Sequence, residues 1–233
     1  MSEGLPIVLI PGLLCSARLY LSQIPELRKL GAVTVADHTR ADSFPEIARG
    51  ILSEAPERFR LAGFSMGGYL AFEIARQAPG CIAKLALIDT SARADTPEAT
   101  ERRKRLMQIA QRDGLRAVND VLFPLLVHET RKQDQELRAL IDTMAEEVGV
   151  AAFLRQQTAL IARPDSRADL PSINYPTLVI VGEADQVTPV NLAQEMADLI
   201  PDARLEVIAN SGHLSPLEQP EEMTKLLVDW FGS

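Results

Sequence analysis

The sequence predicts an α/β protein: a mostly parallel sheet of about six strands, flanked by helices, with a helical cap inserted between two of the strands. Three observations carry that expectation. Short apolar runs alternate with segments of helical rhythm, the pattern of βαβ units and of a sheet covered on both faces. Ile7 to Ile10 is apolar without a break, as in a strand buried on both sides. From about Ser91 to Asp169 the alternation stops, and this charged stretch reads as helices alone.

The elements follow in order. Ile7 to Ile10 is the first strand, ended by Pro11-Gly12. Ala17 to Leu30 has helical character broken at Pro25. Ala32 to Val35 is the second strand, and Phe44 to Ala55 is a helix opened by Asp42 and Ser43, with Pro45 in its first turn. A strand at Phe59 to Ala62 leads almost directly into a helix over Tyr69 to Gln77, with Leu70, Ile74 and Ala78 along one side. Lys84 to Ile88 is the fourth strand. In the strandless stretch, helices are expected over Glu98 to Arg112, Leu115 to Leu122, Arg131 to Glu147 and Val150 to Ala162, with Phe123, Phe153, Met107 and Met144 giving apolar faces. Strands resume at Thr177 to Val181 and Arg204 to Ile208, and a helix over Pro220 to Phe231 closes the chain. The expected organisation is a core of residues 1–90 and 169–233 with a cap over 91–168.

Composition narrows the function. A chain of 233 residues, 46% hydrophobic, can bury one substantial core. A net charge of −8 and a pI near 5.0 argue against nucleic acid or an anionic membrane as the main partner. Cys15 and Cys81 lie far apart, outside any metal-ligand spacing, and read as free thiols in a reducing compartment. No metal or other cofactor is expected. Met1 to Gly4 carries no positive side chain, and the apolar stretch Leu5 to Leu14 is interrupted by Pro6, Pro11 and Gly12. It is too short and broken for a signal peptide or a membrane span, so the expected location is cytoplasmic.

The chemistry concentrates at Gly63-Phe64-Ser65-Met66-Gly67. A strand that turns straight into a helix leaves almost no room at the corner, so Ser65 is pushed toward positive φ, at a strain of roughly 1–3 kcal/mol. Gly63 and Gly67 stand where strand and helix pass too close for side chains. The hydroxyl is thereby held out at the tip of the turn, with helix amides behind it. To attack a carbonyl, a serine needs a neutral imidazole to take its proton and a carboxylate to orient that imidazole. The chain has three histidines, His38, His128 and His213. His213 lies in Asn210-Ser211-Gly212-His213, just beyond the last strand, and Asp185 lies in Gly182 to Pro189, just beyond the strand before it. Loops after the C-termini of parallel strands gather on one sheet edge, where ligands bind, so Ser65, Asp185 and His213 share that edge. Alone, Asp185 could equally cap the turn before Pro189, and His213 could be a structural histidine.

Together with Ile7 to Leu14, Gly63 to Gly68, Gly182 to Pro189 and Gly212 to Pro216, these residues make the chain resemble the α/β-hydrolase superfamily, nearly end to end outside the cap. The resemblance implies Ser65 as nucleophile, His213 as general base and Asp185 as the acid, with an oxyanion hole from the backbone N–H groups of Leu13 and Met66. It implies a serine hydrolase of small carboxylic esters, lactones or thioesters working through an acyl-enzyme, similar to the pimeloyl-carrier methyl esterase and 3-oxoadipate enol-lactonase branches. The same machinery could serve carbon–carbon bond hydrolysis, cofactor-free perhydrolysis or a lyase step, and a non-catalytic binder on this scaffold would show a degraded triad. Asp89, after the fourth strand, is an alternative acid. Two departures stand out. Pro11-Gly12 replaces the His-Gly of many members, removing an imidazole that buttresses the oxyanion loop, and the usual N-terminal antiparallel hairpin is not expected before Ile7. The missing hairpin would leave a sheet edge open to pairing in a homodimer. Finally, Arg102, Arg103 and Arg105 form a basic run in an acidic chain, either a solvated helix face or a docking patch for an acidic acyl carrier.

Overall fold

The computed structural model describes residues 4–233, so the expectation about charge at the first three positions lies outside the described residues. Six strands form one sheet: β1 (Ile7–Ile10), β2 (Val33–Val35), β3 (Phe59–Phe64), β4 (Ile82–Ile88), β5 (Thr177–Gly182) and β6 (Arg204–Ile208). Their order is β2-β1-β3-β4-β5-β6, and every pairing is parallel. β1, β3 and β5 are buried along their whole length. Alternate residues of each strand serve opposite faces, as strand geometry requires. Val8, Ile10, Leu61, Leu85, Leu87, Val179 and Val181 pack on one face, whereas Ile7, Leu9, Ala62, Ala86, Ile88, Leu178 and Ile180 pack on the other. Each fully buried Leu, Ile or Phe contributes on the order of 1.5–3 kcal/mol.

Helices cover both faces. α1 (Ile24–Leu27) is a single turn. The helix expected over 17–30 is otherwise a 3₁₀ turn, Ala17–Tyr20, capped by Ser16. Pro25 has no N–H to give and its ring would meet the carbonyl one turn back, so a helix can only start there. α2 (Phe44–Glu54) and α3 (Met66–Gln77) lie on the first face, and α3 follows β3 with Ser65 alone between them.

Between β4 and β5 come α4 (Pro97–Asp113), α5 (Leu115–Leu126) and α6 (Gln135–Ile161). As expected for residues 131–147 and 150–162, α6 consists of two helices, joined across a kink at Gly149, where the backbone is non-helical at φ 78° and ψ 159°. Its start moves to Gln135 because Asp134 caps it, accepting from the Leu137 N–H at 2.9 Å. Leu106, Ala110, Leu115, Val118, Ala145 and Phe153 give this insertion its own core, joined by Leu14 from the loop after β1. Phe123 and Met144 instead join the core of the second sheet face. Met107 is half-buried, and Leu106 takes the inward place beside it. After β5 come α7 (Val190–Leu199), the one-turn α8 (Ser215–Glu218) and α9 (Pro220–Gly232). No helix among the described residues is long and apolar enough to cross a membrane.

Candidate active site

The corner between β3 and α3 is as tight as its sequence requires. Ser65 has φ 51° and ψ −111°, and its N–H is held by the Ile88 carbonyl at 2.9 Å. A Cβ on Gly63 would lie 2.3 Å from the Gly67 carbonyl oxygen, and one on Gly67 would lie 2.2 Å from that of Ile10. Thr90 donates its hydroxyl to the Ser65 carbonyl at 2.8 Å, fixing the corner from β4.

The structure brings the three separated side chains into one line. Ser65 Oγ lies 2.9 Å from His213 Nε2, and His213 Nδ1 lies 2.8 Å from Asp185 Oδ2. Asp185 is itself held: Oδ1 accepts from the N–H groups of Val187 and Thr188 at 2.8 and 2.9 Å, and Oδ2 accepts from the Thr188 hydroxyl at 2.8 Å. These bonds fix the turn before Pro189 and leave the second oxygen on the imidazole. Burial opposes ionisation of Asp185, but the histidine and the donors around it hold its carboxyl below the usual range. For His213, burial pulls the pKa down, yet Asp185 beside it leaves the ring above its ordinary 6.5. With Asp185 ionised and accepting, Nδ1 carries a proton and Nε2 of the neutral ring faces the serine.

Asp89 does not touch the imidazole. Its carboxyl accepts from the Gly182 N–H at 2.8 Å and from the Ser215 hydroxyl, tying the end of β4 to the loops that carry Asp185 and His213. Burial, and then the nearby Asp185, push its pKa up to about 8. Glu218 ties the same region to the helical insertion. It accepts from the N–H of Gly212 at 2.8 Å and of His128 at 2.6 Å, while the His213 N–H donates to the Leu126 carbonyl at 2.8 Å. His128 contributes only its backbone here, and its ring bonds Thr130.

One supporting residue escaped the sequence reading. His38, fully buried after β2, places Nε2 2.9 Å from the Gly12 carbonyl oxygen. Burial lowers its pKa, so the neutral ring donates from Nε2 and braces the loop that begins with Pro11. An imidazole from the loop after β2 thus braces the loop that Pro11 was expected to leave without one. Leu13 and Met66 both line the cavity beside Ser65, and neither N–H has an acceptor among the described residues. The next amide, Leu14, donates to Gln156 Oε1 of α6 at 3.3 Å, with Leu14 at φ 60°.

The cavity holds about 120 Å³ and is lined mainly by apolar side chains from the loop after β1, α3 and the insertion, among them Leu106, Leu122, Met144 and Leu160. Cys15 also lines it, but burial pushes its thiol up to about 12, which leaves it unreactive at neutral pH. Both cysteines are free. The basic run divides. Arg102 and Arg105 are exposed, while Arg103 turns inward, and Arg102 and Arg103 both reach the cavity wall. Among the described residues, no group of three or more histidine, cysteine and acidic side chains is arranged to hold a metal ion.

The chain is also similar to known enzymes over most of its length. A pimeloyl-acyl-carrier-protein methyl ester esterase of Nitrosomonas europaea is 29% identical over 188 residues, 78% of this chain and 74% of that protein. A 2-hydroxy-6-oxononadienedioate/2-hydroxy-6-oxononatrienedioate hydrolase of Paraburkholderia phymatum is 26% identical over 204 residues, covering 85% of this chain and 71% of its own. Among solved structures, a thermophilic esterase from Thermogutta terrifontis, with malate bound, superposes with a TM-score of 0.89 at 30% identity, covering 98% of this chain and 89% of the other. The model of the alpha/beta hydrolase family matches residues 7–226. The chain belongs to the alpha/beta hydrolase family.

Proposed function

We propose that this hydrolase is a serine esterase that cleaves a small carboxylic ester through an acyl-enzyme. The single observation that supports it most is the unbroken line from Ser65 Oγ through His213 to Asp185 at the cavity. In the proposed cycle, Ser65 Oγ attacks the ester carbonyl carbon as its proton passes to His213 Nε2. The carbonyl oxygen becomes an oxyanion held by the N–H groups of Leu13 and Met66, the second strengthened by the positive end of α3. Collapse of the tetrahedral intermediate breaks the C–O bond, and His213 gives its proton to the departing alcohol. Water, deprotonated by the same nitrogen, then attacks the acyl-serine and releases the acid and free Ser65. Asp185 stays ionised and steadies the imidazolium in both halves.

Thioesters follow the same steps with sulfur as the leaving atom, and lactones with the leaving oxygen still tethered to the acyl chain. An acidic acyl carrier on the leaving group would meet the exposed Arg102 and Arg105. The names of an esterase and a methyl ester esterase among similar proteins favour oxygen esters as the starting substrates. The test is turnover of p-nitrophenyl butyrate by wild type and Ser65→Ala. A loss of at least ~10³-fold is expected, and retained activity in the variant would refute the serine mechanism.

A further inference from the structure

The cavity wall is not uniformly apolar. Apart from His213, the charged side chains lining it are Arg102 and Arg103, with no carboxylate opposite them. Arg102 is exposed, but Arg103 is built in. Its Nε lies 3.1 Å from both oxygens of Asp95, and its Nη1 donates to Gln157 Oε1 at 3.1 Å. Its Nη2 donates to no acceptor among the described residues. Asp95 is shared, because Arg163 also reaches it at 2.7 Å while lying over the Tyr69 ring, 4.5 Å from its centre. Two guanidinium groups therefore face one carboxylate in a largely buried cluster, which is left with a positive charge unmatched by a second carboxylate. Burial pushes the Arg103 guanidinium below its ordinary pKa, as expected for a cation short of an anion.

Gln157 adds a second, independent sign. It is completely buried and lines the same cavity. Because Arg103 donates to its oxygen, the amide cannot be turned over, and its Nε2 is a buried donor without an acceptor among the described residues. Of the five buried side-chain atoms left unmatched among the described residues, it alone belongs to a residue lining this cavity. Both Arg103 and Gln157 are pure donors at their free atoms, so the group that completes them accepts hydrogen bonds and carries negative charge.

We propose that Arg103 and Gln157 form an anion subsite, and that the substrate ester carries a second, ionised carboxylate on its acyl chain, away from the bond cleaved. This rests on the esterase reading of Ser65 and adds the class of ester: half-esters of dicarboxylic acids. The scissile carbonyl sits at Ser65 while the distal carboxylate takes the free Arg103 and Gln157 donors.

The experiment compares monomethyl succinate, glutarate, adipate and pimelate with neutral methyl esters of equal chain length. Wild type is expected to favour the best half-ester by roughly 10–10²-fold in kcat/KM, the range of one charge-assisted contact. Arg103→Gln and, separately, Gln157→Leu should collapse that ratio at least tenfold. Gln157→Leu leaves the Arg103–Asp95 pair intact, so its result stands even where Arg103→Gln fails to fold. No preference in wild type, or a ratio unmoved in the folded variants, overturns the subsite. If no ester is turned over, the esterase reading fails by itself. Calorimetry of monomethyl adipate on Ser65→Ala, with and without Gln157→Leu, then decides the subsite: at least tenfold weaker binding with the second substitution supports it, and equal or undetectable binding in both overturns it.

Discussion

Replacing Asp185 by asparagine tests the proposed division of labour between Asp185 and His213 at a single atom. Asp185 Oδ1 accepts from two backbone N–H groups, those of Val187 and Thr188. In Asp185→Asn the carbonyl oxygen must stay on those donors, since turning the amide over would set its NH₂ against both. The NH₂ group is then forced into the place of Oδ2, 2.8 Å from His213 Nδ1. A neutral imidazole can only accept there, so its proton moves to Nε2, the nitrogen that faces Ser65 Oγ at 2.9 Å. The base is blocked by its own tautomer, while the fold and the cavity are untouched. Loss of the correctly held base is expected to lower kcat by about 10³–10⁴-fold, or ~4–5.5 kcal/mol of barrier. The assay is steady-state hydrolysis of p-nitrophenyl butyrate at pH 8, with the unfolding midpoint measured alongside. A folded variant that keeps more than a tenth of wild-type kcat would refute the assignment of Asp185 as the orienting acid.

Four further outcomes follow from the same geometry. Because only the neutral ring accepts a proton and Asp185 raises the His213 pKa, kcat/KM should climb with pH through a value above 6.5; a plateau already reached at pH 6 would contradict it. His38→Ala frees the Gly12 carbonyl and should cut kcat by about 10–10²-fold through misplacement of the loop proposed to hold the oxyanion, with His38→Gln recovering part of the loss in the same assay. Gly67→Ala sets a Cβ against the Ile10 carbonyl oxygen, where backbone must yield, so about 3 kcal/mol of stability is lost, roughly 6–12 °C in Tm by calorimetry. Asp89 ionises near 3.8 when unfolded but near 8 when folded, so it takes stability away as pH rises between those values; urea unfolding at pH 5 and 8 should show a smaller loss for Asp89→Asn than for wild type.

The core was legible because its signals are local. Short, largely apolar runs located all six strands, and the two glycines around Ser65 announced a corner where a side chain would strike backbone. Asp185 and His213 could be placed on one edge because parallel topology fixes where strand ends gather. Features that depend on which way a side chain turns were not legible. His38 braces Gly12 across 26 positions of sequence, and nothing near either residue marks the pairing. Arg103 stands between Arg102 and Lys104 in an even run of charge, and only the packing of α4 against α6 turns it inward onto Asp95 and Gln157. Pro25 announced a break, but the 3₁₀ turn before it comes from Ser16 capping a short segment rather than from periodicity.

The most direct measurement is the reaction of the protein with a fluorophosphonate, followed by intact mass and peptide mapping. One adduct per chain is expected, on Ser65, formed much more slowly in His213→Ala and not at all in Ser65→Ala. An active protein that forms no adduct, or carries it on another residue, would contradict a nucleophilic Ser65 driven by His213.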